Sequence, residues 1–320
     1  MTSLYDSIVL AHAAIRPQVS VTPLDRSHAL SVAVGCDVWL KCEHLQPTGS
    51  FKVRGATNKI HGLAKNALRA GVVTASSGNH GLAVARAGAL AGAPVTVCVS
   101  ASAARTKLDA ILAMGAELVV LDGPAIEAEL YARRRAVEEG KVYISPYNDL
   151  DVIAGQGTVG FELFEQAPDL DAVFVAVGGG GLIAGIGTAL KTLRPQTRIV
   201  GVWPENSPCM LRAIEAGAIV DVEERPTLSD GTAGAVEPGS VTLPICQEVI
   251  DETVTVSEAE IASAMRRLAE TDHWIVEGSA GVALAGLIKR SAAYKRSKVA
   301  VVLCGRNVSL ERFLEAINRV

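Results

Sequence analysis

From Val72 to Leu121 the chain alternates short runs of β-branched and aliphatic residues with longer small-residue stretches. VVTAS (72–76) reads as a strand, SGNHG as a turn and LAVARAGALAGA as a helix of small residues. PVTVCVS (94–100) reads as a second strand, TKLDAILAM as a helix stopped at Gly115, and ELVVL (117–121) as a third strand. Strand–helix–strand repeated in this way predicts a parallel sheet. A second series starts at AVFVAV (172–177) and passes through a glycine-rich loop and a helix into RIVGVW; the chain closes with the strand KVAVVLCG and a short helix. Ser257 and Glu260 stand at capping-box spacing ahead of another helical pattern. The expected architecture is α/β, with two parallel-sheet lobes and a site between them, where strand C-termini and helix N-termini converge.

One uncharged run, Ala172 to Leu190, is long enough to span a membrane, but the four consecutive glycines Gly178 to Gly181 would break a lipid-facing helix. It reads as strand, loop and helix. A chain of 320 residues favours two domains or one large α/β unit. The composition is 49% hydrophobic but only 4% aromatic, which suits buried parallel strands under small-residue helices better than an aromatic-rich sandwich. The net charge of −4 comes from interspersed acidic and basic residues, so neither a nucleic-acid stripe nor a basic membrane face is expected. A small soluble substrate is the expected partner. Six scattered cysteines without CxxC or His at metal spacing read as reduced thiols of a cytoplasmic protein, and the N-terminus lacks the pattern of a signal peptide.

VAVGGGGLIAGIG (175–187) runs from a strand through glycines into a helix, where backbone N–H groups and a helix N-terminus suit a phosphate. Gly179, Gly181 and Ala184 also satisfy the G-x-G-x-x-A dinucleotide fingerprint, with Glu205 after the next strand, so a dehydrogenase competes, as does a tight turn without ligand. PTGSFKVRGA (47–56) sets Lys52 after a Gly-Ser-Phe turn. Lysine does covalent chemistry as a Schiff base, and pyridoxal phosphate is the cofactor that needs both a lysine and a phosphate cradle. SSGNHG (76–81) offers backbone amides with Ser76, Asn79 and His80 to a carboxylate at a helix start; a plain turn is the alternative. LCGRN (303–307) puts Cys304 at a strand end, where a buried small hydrophobe is the competing reading. SPYND and AGQGT (154–158) read as ordered polar loops near a cleft.

GSFKVRGA, SSGNHG, AGQGTVGFE, GGGGLIAGI and CGRN occur in the order and at the spacings of the serine/threonine dehydratase family, and the chain resembles that family from about Thr22 onward. This is the fold type II, tryptophan-synthase-β-like group of pyridoxal-phosphate enzymes, which also contains serine racemase, cysteine synthase and the hydroxyectoine-utilisation dehydratases. The resemblance implies two three-layer lobes, a large cofactor domain of residues 1–47 and 148–320 and a small domain of residues 48–147, in a homodimer. It implies pyridoxal 5'-phosphate bound through Lys52, with Phe51 beside the ring, Asn79 on the ring hydroxyl, Gly178, Gly179, Gly180 and Gly181 around the phosphate, and Cys304 facing the pyridine nitrogen. Ser76, Ser77 and His80 would belong to the substrate-carboxylate loop. The implied reaction is β-elimination: Lys52 removes the Cα proton, the β-hydroxyl departs, and a 2-oxo acid and ammonia result. A neutral thiol at position 304 would make the ring a weaker electron sink than a carboxylate would, which suits elimination.

Some positions depart from that pattern. Trp203 and Cys209 stand where racemase-like members carry the Glu and Asp of a divalent-cation site, and neither is a hard-cation ligand, so no such metal is expected. Leu82 replaces a frequent Gln, and Arg306 a glycine. Relatives with serine at the position of Ser77 can reprotonate Cα from the opposite face, so the resemblance keeps racemase activity open. The sequence ends without an appended regulatory module, which fits a catabolic role. The expected substrate is L-threonine or L-serine; a charged β-hydroxy amino acid (3-hydroxyaspartate or a hydroxyectoine-derived one) is the alternative, with Arg54, Arg105 and Arg306 as candidate partners for its extra charge.

Overall fold

The computed structural model describes residues 2–101, 103, 105–123 and 125–318. Helix α1 (Leu4–Ile15) opens at Ser3, which forms a capping box with Asp6. Strand β1 (Leu24–Arg26), helix α2 (His28–Val34), strand β2 (Asp37–Lys41) and helices α3 (Lys52–His61) and α4 (Lys65–Ala70) follow. Next come β3 (Val72–Ala75), α5 (Asn79–Ala91), β4 (Val95–Ser100), α6 (Arg105–Ala113), β5 (Glu117–Leu121), α7 (Ala125–Glu138) and β6 (Val142–Tyr143). Helix α8 (Leu150–Gln166) leads to β7 (Ala172–Ala176), α9 (Gly181–Leu193), β8 (Arg198–Pro204), α10 (Cys209–Ala216) and α11 (Thr242–Val249). The rest is β9 (Glu252–Val256), α12 (Glu258–Thr271), α13 (Gly278–Arg290), β10 (Lys298–Val302) and α14 (Leu310–Ile317).

The strands make two sheets. One is wholly parallel in the order β5-β4-β3-β6; the other has the order β1-β2-β10-β7-β8-β9. In the second sheet every pairing is parallel except the edge pair β1–β2. The two expected parallel-sheet lobes are present, and the three-residue β1 adds antiparallel to one edge without a crossover of its own.

Side-chain alternation gives each sheet two covered faces. In β8, Val202 meets α13, where a Cβ on Gly286 would lie 2.5 Å from it, while neighbouring Gly201 faces Ile183 of α9. In the four-stranded sheet, Val72, Val95 and Val97 pack with Val53 of α3 and Val84 of α5, whereas Val73 and Cys98 pack with Ala128, Ala132 and Ala136 of α7. Both sheets are therefore the middle layer of three. The capping box at Ser257 forms as the spacing predicts and starts α12.

AGQGT is not a loop. It lies inside α8 and is buried. Its glycines serve helix packing: a Cβ on Gly155 would lie 2.6 Å from both the Arg54 carbonyl and the Gly55 Cα, and one on Gly157 2.5 Å from Ile8. Backbones this close leave no room for side chains, and the packing offsets the helix-weakening cost of glycine.

Candidate active site

The segment around Lys52 is stitched to the end of β10. Ser50 bridges Gly305, the Phe51 N–H donates to the Cys304 carbonyl at 3.1 Å, and the Arg306 N–H donates to the Gly49 carbonyl at 2.9 Å. Gly49 has φ +75°, and a Cβ there would lie 2.5 Å from Asn307 Oδ1, so glycine is required twice over. Phe51 then caps α3, and Lys52 is its first residue. The Lys52 ammonium donates to the Pro146 carbonyl at 2.8 Å and lies 5.2 Å from the centre of the Phe51 ring. Burial lowers its pKa to about 8, against the opposing pull of Cys304 and Glu277. Cys304 is buried, and burial with Glu277 nearby pushes its thiol up, so the sulfur stays neutral.

After Pro146 comes Tyr147, which leads to the glycine loop. Its ring would lie 2.5 Å from a Cβ on Gly179, and its Cα 3.1 Å from one on Gly181. Gly178 is pressed on Thr232, and Gly180 has φ +86°, where an added Cβ would lie 2.7 Å from Cys246 Sγ. The Gly179 carbonyl accepts from Thr242 Oγ1 at 2.7 Å and the Gly180 carbonyl from Cys246 Sγ at 3.7 Å. Because C=O and N–H point oppositely across a planar peptide, these bonds turn the Gly180 and Gly181 amides away from the protein. Among the described residues, the N–H groups of Gly178 to Gly181 donate to no protein acceptor. Unpaired amides at the start of α9 match the donor set a phosphate requires.

A second set of free amides lies at the start of α5. Ser76 Oγ accepts from the Gly78 N–H at 3.2 Å, whereas the N–H groups of Ser77, Asn79 and His80 donate to no acceptor among the described residues. Ser77 is half-buried. The His80 ring turns inward: its Nε2 bonds the Ile144 carbonyl at 3.0 Å, and burial with the Lys52 charge lowers its pKa to about 3. The imidazole is thus neutral, and what His80 offers an anion is its backbone N–H. The Asn79 amide donates to Glu277 Oε1 at 2.8 Å and accepts from Asn307 Nδ2 at 2.5 Å.

The chain brings together Phe51, Lys52, Asn79, Cys304 and both amide sets at one cleft. SPYND is a loop at this cleft, as its composition suggests, although no spacing marks the Pro146 carbonyl or the Tyr147 ring as the groups that meet Lys52 and Gly179. Glu277 was missed in the sequence, since nothing marks an acid ahead of a small-residue helix. Arg54 is not a substrate partner: it is fully buried and paired with Glu43 and Glu162. Arg105 is exposed and paired with Asp109, while Arg306 makes no side-chain hydrogen bond or ion pair among the described residues. Trp203 and Cys209 are buried in the core, Glu205 lies 3.6 Å from Lys289, and the described residues include no group of three or more His, Cys, Asp or Glu able to hold a metal. Among them, no helix is long and apolar enough to cross a membrane.

An amine with lowered pKa facing a neutral thiol, flanked by two helix starts with free amides, defines an α/β enzyme site for a carbonyl-bearing, phosphorylated cofactor. Residues 15–305 match the family model described as pyridoxal-phosphate dependent enzyme, and the chain belongs to that family. It is 39% identical over 315 residues to an L-threonine ammonia-lyase of Thermotoga maritima, covering 98% of this chain and 78% of that one. It is 35% identical over 308 residues to a beta-hydroxyaspartate dehydratase of Paracoccus denitrificans, covering 96% and 97%. The processed form of threonine deaminase isoform 2 from Solanum lycopersicum superposes with a TM-score of 0.94 at 33% identity, covering 98% and 92%. Family and site together remove the dehydrogenase reading, which gives Lys52 and Cys304 no role.

Proposed function

We propose that the protein is a pyridoxal-phosphate-dependent ammonia-lyase that removes water and ammonia from a β-hydroxy amino acid, L-threonine or L-serine, to leave a 2-oxo acid. The observation that carries this reading is the Lys52 amine, 2.8 Å from the Pro146 carbonyl and 5.2 Å from the centre of the Phe51 ring, lowered to about 8 by burial and near enough to the neutral Cys304 thiol to feel it. The cofactor supplies a conjugated ring that takes up charge from the substrate Cα. Lys52 would hold it covalently and, once freed by the substrate amine, take the Cα proton; a depressed pKa keeps a fraction of the amine unprotonated near neutral pH. Asn79 would meet the ring hydroxyl, Cys304 the ring nitrogen, and the amides of Gly178 to Gly181 the phosphate. The amides after Ser76 would take the substrate carboxylate, with Ser77 in reach of the opposite face of Cα. That last role keeps an amino-acid racemase as the alternative activity.

A charged β-hydroxy amino acid is the second reading for the substrate. The likeness to a beta-hydroxyaspartate dehydratase and the unpaired Arg306 side chain support it. We further read residues 48–147 as the small domain and residues 1–47 and 148–320 as the large one, in a cytoplasmic homodimer; six buried free cysteines favour a reducing compartment.

The test is release of 2-oxo acid and ammonia from L-threonine, L-serine, both 3-hydroxyaspartate diastereomers and the hydroxyectoine-derived amino acid, with Lys52→Ala as blank. Turnover of threonine or serine above the blank supports the first reading. Turnover of a charged substrate alone replaces it with the second, and no turnover of any rejects both.

A further inference from the structure

Glu277 occupies the N-cap position of α13 with extended backbone angles, φ −74° and ψ 165°, yet its side chain makes no cap hydrogen bond to its own helix. It is buried instead and reaches across the cleft. Oε1 accepts from Asn79 Nδ2 at 2.8 Å, and Oε2 accepts from the Asn307 backbone N–H at 3.1 Å. Asn307 Nδ2 in turn donates to Asn79 Oδ1 at 2.5 Å and to the Thr48 carbonyl at 2.9 Å. Three residues thus close a ring of hydrogen bonds. Asn79 comes from the start of α5, beside the four-stranded sheet; Glu277 and Asn307 come from the start of α13 and the loop after β10, beside the six-stranded sheet.

The ring admits only one orientation of the Asn79 carboxamide. Flipping it would set its oxygen against a carboxylate and its NH2 against another NH2. Only a carboxylate completes the ring, because both Glu277 oxygens accept and an amide has just one acceptor oxygen. The backbone of Gly305 packs against that carboxylate as well: a Cβ there would lie 2.6 Å from Oε1. One Asn79 N–H is spent on Glu277, which leaves the second hydrogen of the NH2 for a ligand in the cleft.

We infer that Glu277 is a positioning residue that fixes the Asn79 carboxamide so that its remaining N–H faces the cofactor ring, and that the same ring of hydrogen bonds holds the two sheet units together across the cleft. The inference rests on the cofactor reading above and adds a residue to it.

The experiment compares the full-length, cofactor-loaded parent with E277Q, E277D, N79A and the E277Q/N79A double variant. It reads the pH profile of the visible absorbance of the bound cofactor, the cofactor dissociation constant, and kcat and KM. E277Q is expected to move the absorbance profile and to weaken cofactor binding on the order of tenfold, the size of one charge-assisted hydrogen bond. Its kcat should fall more than its KM rises, and E277D should recover part of both. In the N79A background, E277Q should add less than about twofold, because coupled residues are not additive. A parent-like absorbance profile and affinity in folded E277Q overturns the inference, and so does a double variant whose loss is the product of the single losses. If E277Q does not fold, E277D decides: it keeps the charge but retracts the oxygens, so a profile identical to the parent's overturns the inference. A parent protein without any visible band that Lys52→Ala abolishes would instead reject the cofactor reading itself.

Discussion

Arg54 grips Glu162 through two hydrogen bonds, Nη1 to Oε1 at 2.8 Å and Nη2 to Oε2 at 2.9 Å, two residues beyond the amine of the candidate site. The same guanidinium bonds Glu43 through Nε at 2.8 Å and Nη2 at 2.7 Å, and Lys41 Nζ reaches Glu162 Oε2 at 2.7 Å. All four side chains are fully buried. Two cations and two carboxylates cancel, and the bidentate geometry satisfies the oxygens. The first turn of α3, which carries Lys52, is thereby tied to the middle of α8 and to the segment after β2.

Removing the guanidinium should therefore cost far more than removing the amine. Arg54→Met leaves two buried carboxylates facing a single lysine, and breaking such a network costs roughly 3–5 kcal/mol. Urea denaturation should show that loss for Arg54→Met and under about 1 kcal/mol for cofactor-free Lys52→Ala. Equal losses would mean that the network contributes nothing special.

The lowered pKa of Lys52 sets the pH at which the cofactor-free protein takes up cofactor. The nucleophile is the unprotonated amine, so uptake is slow while Lys52 is protonated and rises as pH passes through about 8. An ordinary lysine would become half-deprotonated only near ~10.4. Stopped-flow uptake of pyridoxal phosphate between pH 6 and 10 should level off above about 8, and a rate still climbing steeply at pH 10 contradicts the burial effect.

Much of this organisation is legible in the chain because local pattern and tertiary position agree. VVTAS, PVTVCVS and ELVVL become neighbouring strands β3, β4 and β5, and the glycines after AVFVAV start α9 with their amides free. The failures have a common cause, which is that contact partners far along the sequence decide the outcome. Gly155 and Gly157 look like loop residues until Arg54, Gly55 and Ile8 are placed against them. Arg54 looks available to a substrate until Glu43 and Glu162 close around it. Glu277 lies 198 residues from Asn79, and no period or motif links them.

The close approach of α8 to α3 makes Gly155→Ala a specific test. Its methyl would meet the Arg54 carbonyl and the Gly55 Cα, both at 2.6 Å, and these are backbone atoms that cannot swing aside. Overpacking of this kind costs ~1–3 kcal/mol, more than the helix-propensity gain of ~1 kcal/mol from replacing glycine by alanine. Gly62→Ala is the control, since its nearest neighbour would lie 3.6 Å away. The melting temperature should fall for Gly155→Ala and hold for Gly62→Ala.

The buried neutral thiol of Cys304 also has a measurable consequence. A carboxylate there would hold a proton on the cofactor's ring nitrogen and strengthen the electron sink. Cys304→Asp is expected to lower β-elimination on the order of tenfold or more and to raise transamination side reactions, since a longer-lived negative charge has time to be reprotonated elsewhere. Product analysis by chromatography separates the two. Faster elimination without added transamination would overturn the proposed role of the thiol.

His44 gives the fold an acid limit unrelated to catalysis. It is 1% exposed and lies edge-on to Trp274 with ring centres 4.7 Å apart. Burial and the Arg306 charge lower its pKa to about 4, from an ordinary value of 6.5. Between pH 6.5 and about 4 the unfolded chain binds this proton and the native state does not, so native stability falls as pH drops through that window and levels off below it. The slope approaches ~1.4 kcal/mol per pH unit, or about 3 kcal/mol in all. His80, lowered to about 3, adds a second contribution of the same sign. His44→Phe removes one titrating group while keeping a ring against Trp274, so urea midpoints measured from pH 7 to 4 should decline less steeply than in the parent. An unchanged slope would assign the acid sensitivity to other groups.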